Sequence, residues 1–145
     1  IRDWLVGENG IAAERVQVIY TGVDAAARRP RWEIAAEARE ALRRGFGVTD
    51  PDATVLSFAG RLVKEKGVNE MLDAFERLRA RHPGRVALLV AGNVRESDDP
   101  RNEKAEYGKA VAARMAKMPG VHWVGSLKPE QIHEFLLAGD VFVMP

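Results

Sequence analysis

The sequence predicts an α/β fold: a doubly wound parallel sheet (Rossmann-like) with helices on both faces. Two short runs, Thr54 to Ala59 and Val86 to Ala91, are almost entirely apolar, as expected for strands that are buried on both faces. Segments with apolar residues at helical spacing alternate with such runs along the chain. A length of 145 residues with 46% hydrophobic and 30% charged residues fits a single globular domain.

Local patterns predict the individual elements. The segment Arg15 to Tyr20 is rich in β-branched residues and predicts a first strand. A helix is predicted from Val68 to Arg81, because apolar residues recur there every three or four positions. The other predicted helices span residues 32–46, 103–118 and 130–138, and the other predicted strands span residues 54–59, 86–91, 121–124 and 140–144. Five aromatic residues are expected in the core: Trp32, Phe46, Phe75, Trp123 and Phe142.

Composition and charge argue against several classes of function. With 22 basic and 21 acidic residues the net charge is +1, so no strong field attracts nucleic acid. The chain has no cysteine, which excludes disulfides and thiolate metal sites, and its three histidines are scattered without metal-ligand spacing. The longest apolar run, Val86 to Ala91, is too short to span a bilayer. A cytoplasmic location is therefore expected.

A group of charged residues follows the first apolar strand, and ligands of parallel sheets bind at the carboxyl ends of strands. Gly60 allows close approach of a ligand, and Arg61 presents a planar fork that can hold two oxygens of one phosphate. Lys64 and Lys66 add positive charge. Gly67 leads into the next helix, whose free N–H groups favour an anion. The segment is a candidate diphosphate site, and the alternative is a solvated charged loop.

Two common nucleotide-binding motifs do not occur in the sequence. It contains neither G-x-x-x-x-G-K-[ST] nor G-x-G-x-x-G. The first would bind nucleoside triphosphates and the second dinucleotides, through glycine-rich loops that precede a helix. Neither an NTPase nor a dinucleotide-dependent enzyme is therefore indicated.

Five segments, in the same order along the chain, resemble one known family. Gly60-Arg-Leu-x-x-x-Lys66-Gly67 resembles the signature of the GT-B glycosyltransferases of family 4, or glycosyl transferases group 1, which include sucrose synthase and bacterial mannosyltransferases. Val18 to Asp24 resembles the family's opening strand and N-G-V-D turn, and Leu88 to Gly92 resembles its L-x-I-x-G strand. Val121 to Gly125 and Ala138 to Pro145 resemble its V-x-F-x-G and A-D-x-x-x-x-P segments.

The resemblance implies an enzyme that transfers a hexose, with retention, from a nucleoside-diphosphate sugar to an acceptor. The nucleotide would be UDP, GDP or ADP. Arg61 and Lys66 would be the catalytic cations that hold the diphosphate and stabilise the leaving group, with no metal or other cofactor. The donor-binding residues would be Gly22, Gly60, Arg61, Lys66, Gly92, Asn93, Ser126 and Leu127.

The resemblance also implies a domain organisation. Residues 1–145 would be an incomplete donor-binding domain, the C-terminal half of a GT-B enzyme, with the family's E-x7-E motif beyond Pro145. The N-terminal acceptor-binding domain would be absent, so the fragment alone is expected to be inactive. Peripheral association with a membrane would depend on that absent part.

The sequence departs from the family pattern at several positions, and two alternatives stay open. Thr21 stands where the family has Asn, and Ala25 to Ala27 replace the residues that usually lead to a Phe after the N-G-V-D turn. The loop from Asn93 to Asn102 is longer and more charged than the family's G-x-G-P loop. One alternative is a non-catalytic Rossmann-like interaction or regulatory module in which Arg61 and Lys66 are merely solvated. The other is a GT-B nucleotide-sugar epimerase.

Overall fold

The computed structural model describes residues 1–22, 24, 28–94 and 102–145. The strands in this part of the chain are β1 (Thr54–Ala59), β2 (Val86–Ala91), β3 (Val121–Trp123) and β4 (Val141–Phe142). The α-helices are α1 (Arg2–Gly7), α2 (Ala36–Gly45), α3 (Val68–Arg81), α4 (Glu103–Met115) and α5 (Pro129–Ala138). Short 3-10 helices lie at Ala13–Arg15, Arg31–Glu33 and Lys64–Lys66.

The strands form one parallel sheet in the order β3-β2-β1-β4. β1 pairs with β2 along its whole length, from Thr54 opposite Val86 to Ala59 opposite Ala91. β2 pairs with β3 on one side, and β1 pairs with β4 on the other, also in parallel. Strands that alternate with helices and pair in parallel confirm the predicted α/β fold class.

The sheet is covered on both faces, which explains why its middle strands are apolar throughout. On one face α3 and α4 pack on a core that includes Phe58, Leu72 and Val111. On the other face α2 and α5 pack on a core that includes Leu89 and Phe135. All six residues of β2 are buried, so a half-polar sequence could not have formed this strand.

One carboxylate ties the edge strand β4 to the rest of the molecule. Asp140 Oδ2 accepts hydrogen bonds from the Val55 N–H at 2.7 Å and from the Arg43 guanidinium at 2.5 Å. Asp140 Oδ1 accepts from Arg39 at 2.6 Å and from Arg31 at 2.9 Å. A single side chain therefore joins β4, β1, α2 and the segment that precedes α2.

Arg43 lies at the centre of this network and is only 6% exposed. Its guanidinium also donates to the Ala138 carbonyl at 3.0 Å and to the Ala53 carbonyl at 3.3 Å. Each of its three guanidinium nitrogens therefore donates to an acceptor, which offsets the cost of burying the charge. Burial alone would raise the pKa of the Asp140 carboxyl, but the hydrogen bonds from Val55 and Arg39 and the charge of Arg43 outweigh this effect and lower the pKa.

The predicted strand at residues 15–20 is wrong. A 3-10 helix covers Ala13–Arg15, and no strand follows it among the described residues up to Gly22. Val18 is 51% exposed, Ile19 83% and Tyr20 88%. β-branched residues favour a strand only when a partner strand and a covering layer are present, and neither packs on this segment.

Three of the aromatic residues expected in the core are exposed instead. Trp32 is 85% exposed, Phe142 45% and Trp123 40%. Phe75 is buried, and Phe46 packs edge to face on Phe135 with ring centroids 5.6 Å apart. The predicted helix at residues 32–46 is shorter than expected, because Ile34 and Ala35 have extended backbone and α2 begins at Ala36.

We predict that Asp140→Asn lowers the free energy of unfolding by about 2–4 kcal/mol at pH 7, because it leaves the buried Arg43 guanidinium without its counter-charge. The loss should narrow below about pH 4, because a carboxyl with a lowered pKa stabilises the fold only while it is ionised. Urea unfolding at both pH values measures the effect. Asp73→Asn is the control, since Asp73 pairs with Arg114 at 2.5 Å while 55% exposed, and should cost less than about 1 kcal/mol. Equal losses in the two variants at pH 7 would contradict this role of Asp140.

Candidate anion site at the carboxyl edge of the sheet

Backbone hydrogen bonds hold the segments that follow β1, β2 and β3 side by side. The Gly60 N–H donates to the Ala91 carbonyl at 2.9 Å, and the Gly92 N–H donates to the Gly125 carbonyl at 2.7 Å. The Leu62 N–H donates to the Asn93 carbonyl at 3.3 Å. The structure thus brings Gly60, Gly92 and Asn93 together, as expected for residues at the carboxyl edge of a parallel sheet.

Gly92 is required at this edge because two backbone segments approach closely. A Cβ atom added at Gly92 would lie 1.9 Å from the Gly60 carbonyl oxygen. No larger residue fits there without separating the turns after β1 and β2. The Gly92 carbonyl in turn accepts a hydrogen bond from the indole Nε1–H of Trp123 at 2.8 Å. Trp123 therefore fixes the edge rather than filling the core, a role that its position in the sequence did not indicate.

Arg61 lies at the mouth of a cleft at this edge. The cleft has a volume of about 170 Å³ and is lined by Arg61, Val63, Asn93 and Lys104. The Arg61 side chain is exposed, and among the described residues no carboxylate lies within ion-pair distance of it. A cation at a strand end that has no carboxylate partner is available to bind an anionic ligand.

Lys66 lies at the end of a 3-10 helix and does not line this cleft. The 3-10 helix covers Lys64–Lys66, and its end is fixed by Gly67, which has a left-handed backbone with φ of 59°. A Cβ atom at Gly67 would also lie 2.8 Å from Pro145 Cβ, so the segment after β4 approaches the same turn. Lys66 is exposed beside this turn and is likewise without an ion pair among the described residues.

Lys104 is a cation of the cleft that sequence analysis missed. It lies in the first turn of α4, 43 positions after Arg61, and its ammonium group pairs with Glu65 at 3.0 Å. The pKa of the Glu65 carboxyl is lowered by a hydrogen bond from its own backbone and then by the hydrogen bond from Lys104, with a smaller effect of the Arg61 charge. No local motif predicts this pair, because the two residues meet only when α4 packs beside the turn after β1.

The first turn of α3 is less open to an anion than the sequence indicates. The Asn69 N–H donates to the Tyr107 hydroxyl at 3.3 Å, and Val68 is fully buried. One of the helix N–H groups expected to be free is thus already bonded within the protein. The side chains of Arg61 and Lys66 are exposed, so they are more accessible to an anion than this N–H group.

The remaining predicted site residues differ in their surroundings. Ser126 is exposed directly after Gly125, whose φ of 72° turns the chain away from β3. Leu127 is partly buried against the core under α2 and α5. Gly22 is exposed, and a Cβ atom there would meet nothing within 4 Å, so the structure does not pack Gly22 against this edge. Val23, Ala25–Ala27 and the loop at 95–101 lie outside the described residues.

Two of the cavities that are larger than this cleft lie at the opposite, amino edge of the sheet. One of about 340 Å³ is lined by residues such as Phe75 and Met118, and one of about 540 Å³ by residues such as Thr54 and Val86. Both lie where the strands begin. In open parallel sheets the binding crevice is at the carboxyl ends, so we assign the candidate site to the smaller cleft.

Two kinds of feature are not found in the described part of the chain. No group of three or more His, Asp or Glu residues is placed to hold a metal ion there. No helix there is both long enough and apolar enough to cross a membrane.

The sequence model of the family described as glycosyl transferases group 1 matches residues 39–145, which include the whole carboxyl edge. The chain belongs to this glycosyltransferase family. The lipopolysaccharide 1,2-N-acetylglucosaminetransferase of Salmonella typhimurium is 36% identical over 106 residues, which are 72% of this chain and 26% of that protein.

Solved structures share the fold of this family member. A glycosyltransferase from Rickettsia africae superposes with a TM-score of 0.68 and 15% identity, over 99% of this chain and 35% of that one. The Anabaena protein HepE, solved with UDP and glucose, gives a TM-score of 0.63 and 21% identity, over 94% of this chain and 33% of that one. The chain thus spans about a quarter to a third of the length of these relatives.

We predict that Gly92→Ala lowers the free energy of unfolding by at least about 2 kcal/mol, because the added methyl group collides with the Gly60 carbonyl and forces backbone to move. Gly22→Ala, at an exposed glycine, should change it by less than about 0.5 kcal/mol. Denaturant unfolding followed by circular dichroism compares the two variants. Wild-type stability in the Gly92 variant would show that the two turns are not held in contact.

Proposed function

We propose that this chain supplies the diphosphate site of a retaining glycosyltransferase, which moves a hexose from a nucleoside-diphosphate sugar to an acceptor. The observation that carries the proposal is the exposed Arg61 guanidinium in a cleft at the carboxyl edge of β1, without an ion-pair partner among the described residues. Membership of the glycosyltransferase family supports transfer as the reaction. Retention rests on the resemblance of the Gly60-to-Gly67 signature to family 4.

Two cations would provide the electrostatic part of the catalysis. As the bond between sugar and diphosphate breaks, negative charge grows on the departing phosphate oxygens. Arg61 and Lys66, with charges in place before the reaction, would stabilise that growing charge. Arg61 can hold two oxygens at once, whereas Lys66 acts as a compact point charge. With two protein cations at the diphosphate, no metal ion is needed in this proposal.

Other donor contacts would come from backbone at the same edge. Gly60 and Gly92 place backbone at this edge, and Asn93 lines the cleft beside Arg61. Ser126 and Leu127, which follow β3, would contact the nucleoside through their backbone. The HepE neighbour was solved with UDP and glucose, so UDP is the first nucleotide to test.

The acceptor would be bound by a part of the protein outside this chain. The chain spans about a quarter to a third of its relatives, and this proposal assigns it the C-terminal, donor-binding half of a GT-B enzyme. Binding of the donor and turnover are therefore separable: this chain would bind nucleoside diphosphate, and transfer would require the acceptor domain.

We predict that the chain binds UDP, GDP or ADP without divalent metal, and that the double variant Arg61→Ala, Lys66→Ala weakens binding of the preferred one at least about a hundredfold, because two charge-assisted contacts are lost. Isothermal titration calorimetry with EDTA present measures both proteins. The variant Arg77→Ala, Lys117→Ala is the matched control, since it removes the same charge from exposed residues that do not line the cleft.

The possible outcomes separate the proposal from its alternatives. Loss of binding in the Arg61, Lys66 variant alone supports the diphosphate site. Equal binding in both variants, or no binding of any nucleoside diphosphate by folded wild-type chain, would favour a regulatory or interaction module in which these side chains are merely solvated. An epimerase would bind the diphosphate in the same way, and would be distinguished by its reaction on the nucleotide sugar without an acceptor.

A further inference from the structure

An ion pair between two otherwise distant segments lies at the cleft. Lys104 Nζ, in the first turn of α4, is 3.0 Å from Glu65 Oε1, in the 3-10 helix that follows β1. Lys104 also lines the cleft with Arg61 and Asn93. The pair therefore lies where an anion held by Arg61 would bind. Lys104 carries the positive charge that would attract such an anion.

The exposure of this ion pair allows Lys104 to exchange Glu65 for another anionic partner. The side chains are 56% and 60% exposed, and ion pairs that are so exposed contribute little stability. A diphosphate carries more negative charge than one carboxylate and offers more acceptor oxygens. It can therefore replace Glu65 as the partner of Lys104 without breaking a buried contact.

Glu65 is a negatively charged group of the protein itself beside the cleft. Its carboxylate pairs with Lys104, and the positive charge of Arg61 also lowers the pKa of this carboxyl. While Glu65 stays in place it partly neutralises the cations that a phosphate would meet. An incoming anion must therefore compete with Glu65 for Lys104.

We propose that Lys104 is a third cation of the diphosphate site and that Glu65 is an internal competitor, which holds Lys104 until a diphosphate displaces it. This inference rests on the proposed function, because it adds a residue and a competing group to the same site. It gives the two members of one ion pair opposite effects on binding, which damage to the structure would not produce.

The test measures binding of UDP and of inorganic pyrophosphate by calorimetry, with Glu65→Gln and Lys104→Met. We expect Glu65→Gln to bind both ligands about two- to fivefold more tightly, because the competitor has lost its charge. We expect Lys104→Met to bind both about tenfold more weakly, because a charge-assisted contact is gone.

A second Glu–Lys pair on the same helix provides matched controls. Glu106 and Lys109 lie 3.0 Å apart on α4, with side chains 50% and 52% exposed, but do not line the cleft. Glu106→Gln and Lys109→Met make the same charge changes, so general electrostatic effects would shift binding equally in both pairs. Circular dichroism of each variant checks that it is folded.

The results separate this inference from the proposed function. If the Arg61, Lys66 variant loses UDP binding while Glu65→Gln and Lys104→Met behave like their controls, only the exchange mechanism is overturned. If pyrophosphate binding follows Glu65 and Lys104 as expected but UDP binds no better than pyrophosphate, the exchange stands and the nucleotide site does not. If folded wild-type chain binds neither ligand, both proposals are overturned.

Discussion

The carboxylate of Asp140 joins the start of the edge strand β4 to β1, to α2 and to the segment before α2. β4 pairs with β1 through only two residue pairs, a short contact for an edge strand. Asp140 adds a hydrogen bond from the Val55 N–H and three guanidinium partners that reach back to Arg31. Pro145, five positions further on, lies against Gly67 in the turn of the candidate site. The residues that follow the edge strand therefore lie beside the turn that carries Lys66.

Charge serves two different purposes in this molecule. Around Asp140 the charged groups are paired with one another, and Arg39, Arg43 and Asp140 are partly or fully buried, which makes the interaction structural. At the carboxyl edge the charges are exposed, and they are paired weakly or without a carboxylate partner among the described residues. Only the second arrangement leaves positive charge available to an anion. This contrast, more than the number of arginines and lysines, distinguishes the candidate site from the rest of the surface.

The sequence predicted those parts of the fold that depend on local pattern. The predicted bounds of β1, β2 and α3 agree with the structure. Burial on both faces gives a strand a continuous apolar run, and burial of one face gives a helix a regular apolar spacing. The predicted strand at residues 15–20 and the predicted burial of Trp32 are wrong, since the apolar character of a residue does not show whether other residues pack on it. The Asp140 network spans up to 109 positions, and Lys104 meets Glu65 across 39, so neither follows from spacing.

We propose that the carboxyl edge of the sheet, and not the larger cavities at the amino edge, binds a nucleoside diphosphate. Backbone-amide NMR shift mapping during titration with UDP, GDP and ADP distinguishes the two locations, since every non-proline residue has an amide signal. We expect the preferred ligand to shift the amide signals of residues 60–67, 92–93 and 125–127 and to leave those of the amino edge unchanged. Shifts centred on residues 79–86 and 118–120, around the larger cavities, would contradict it.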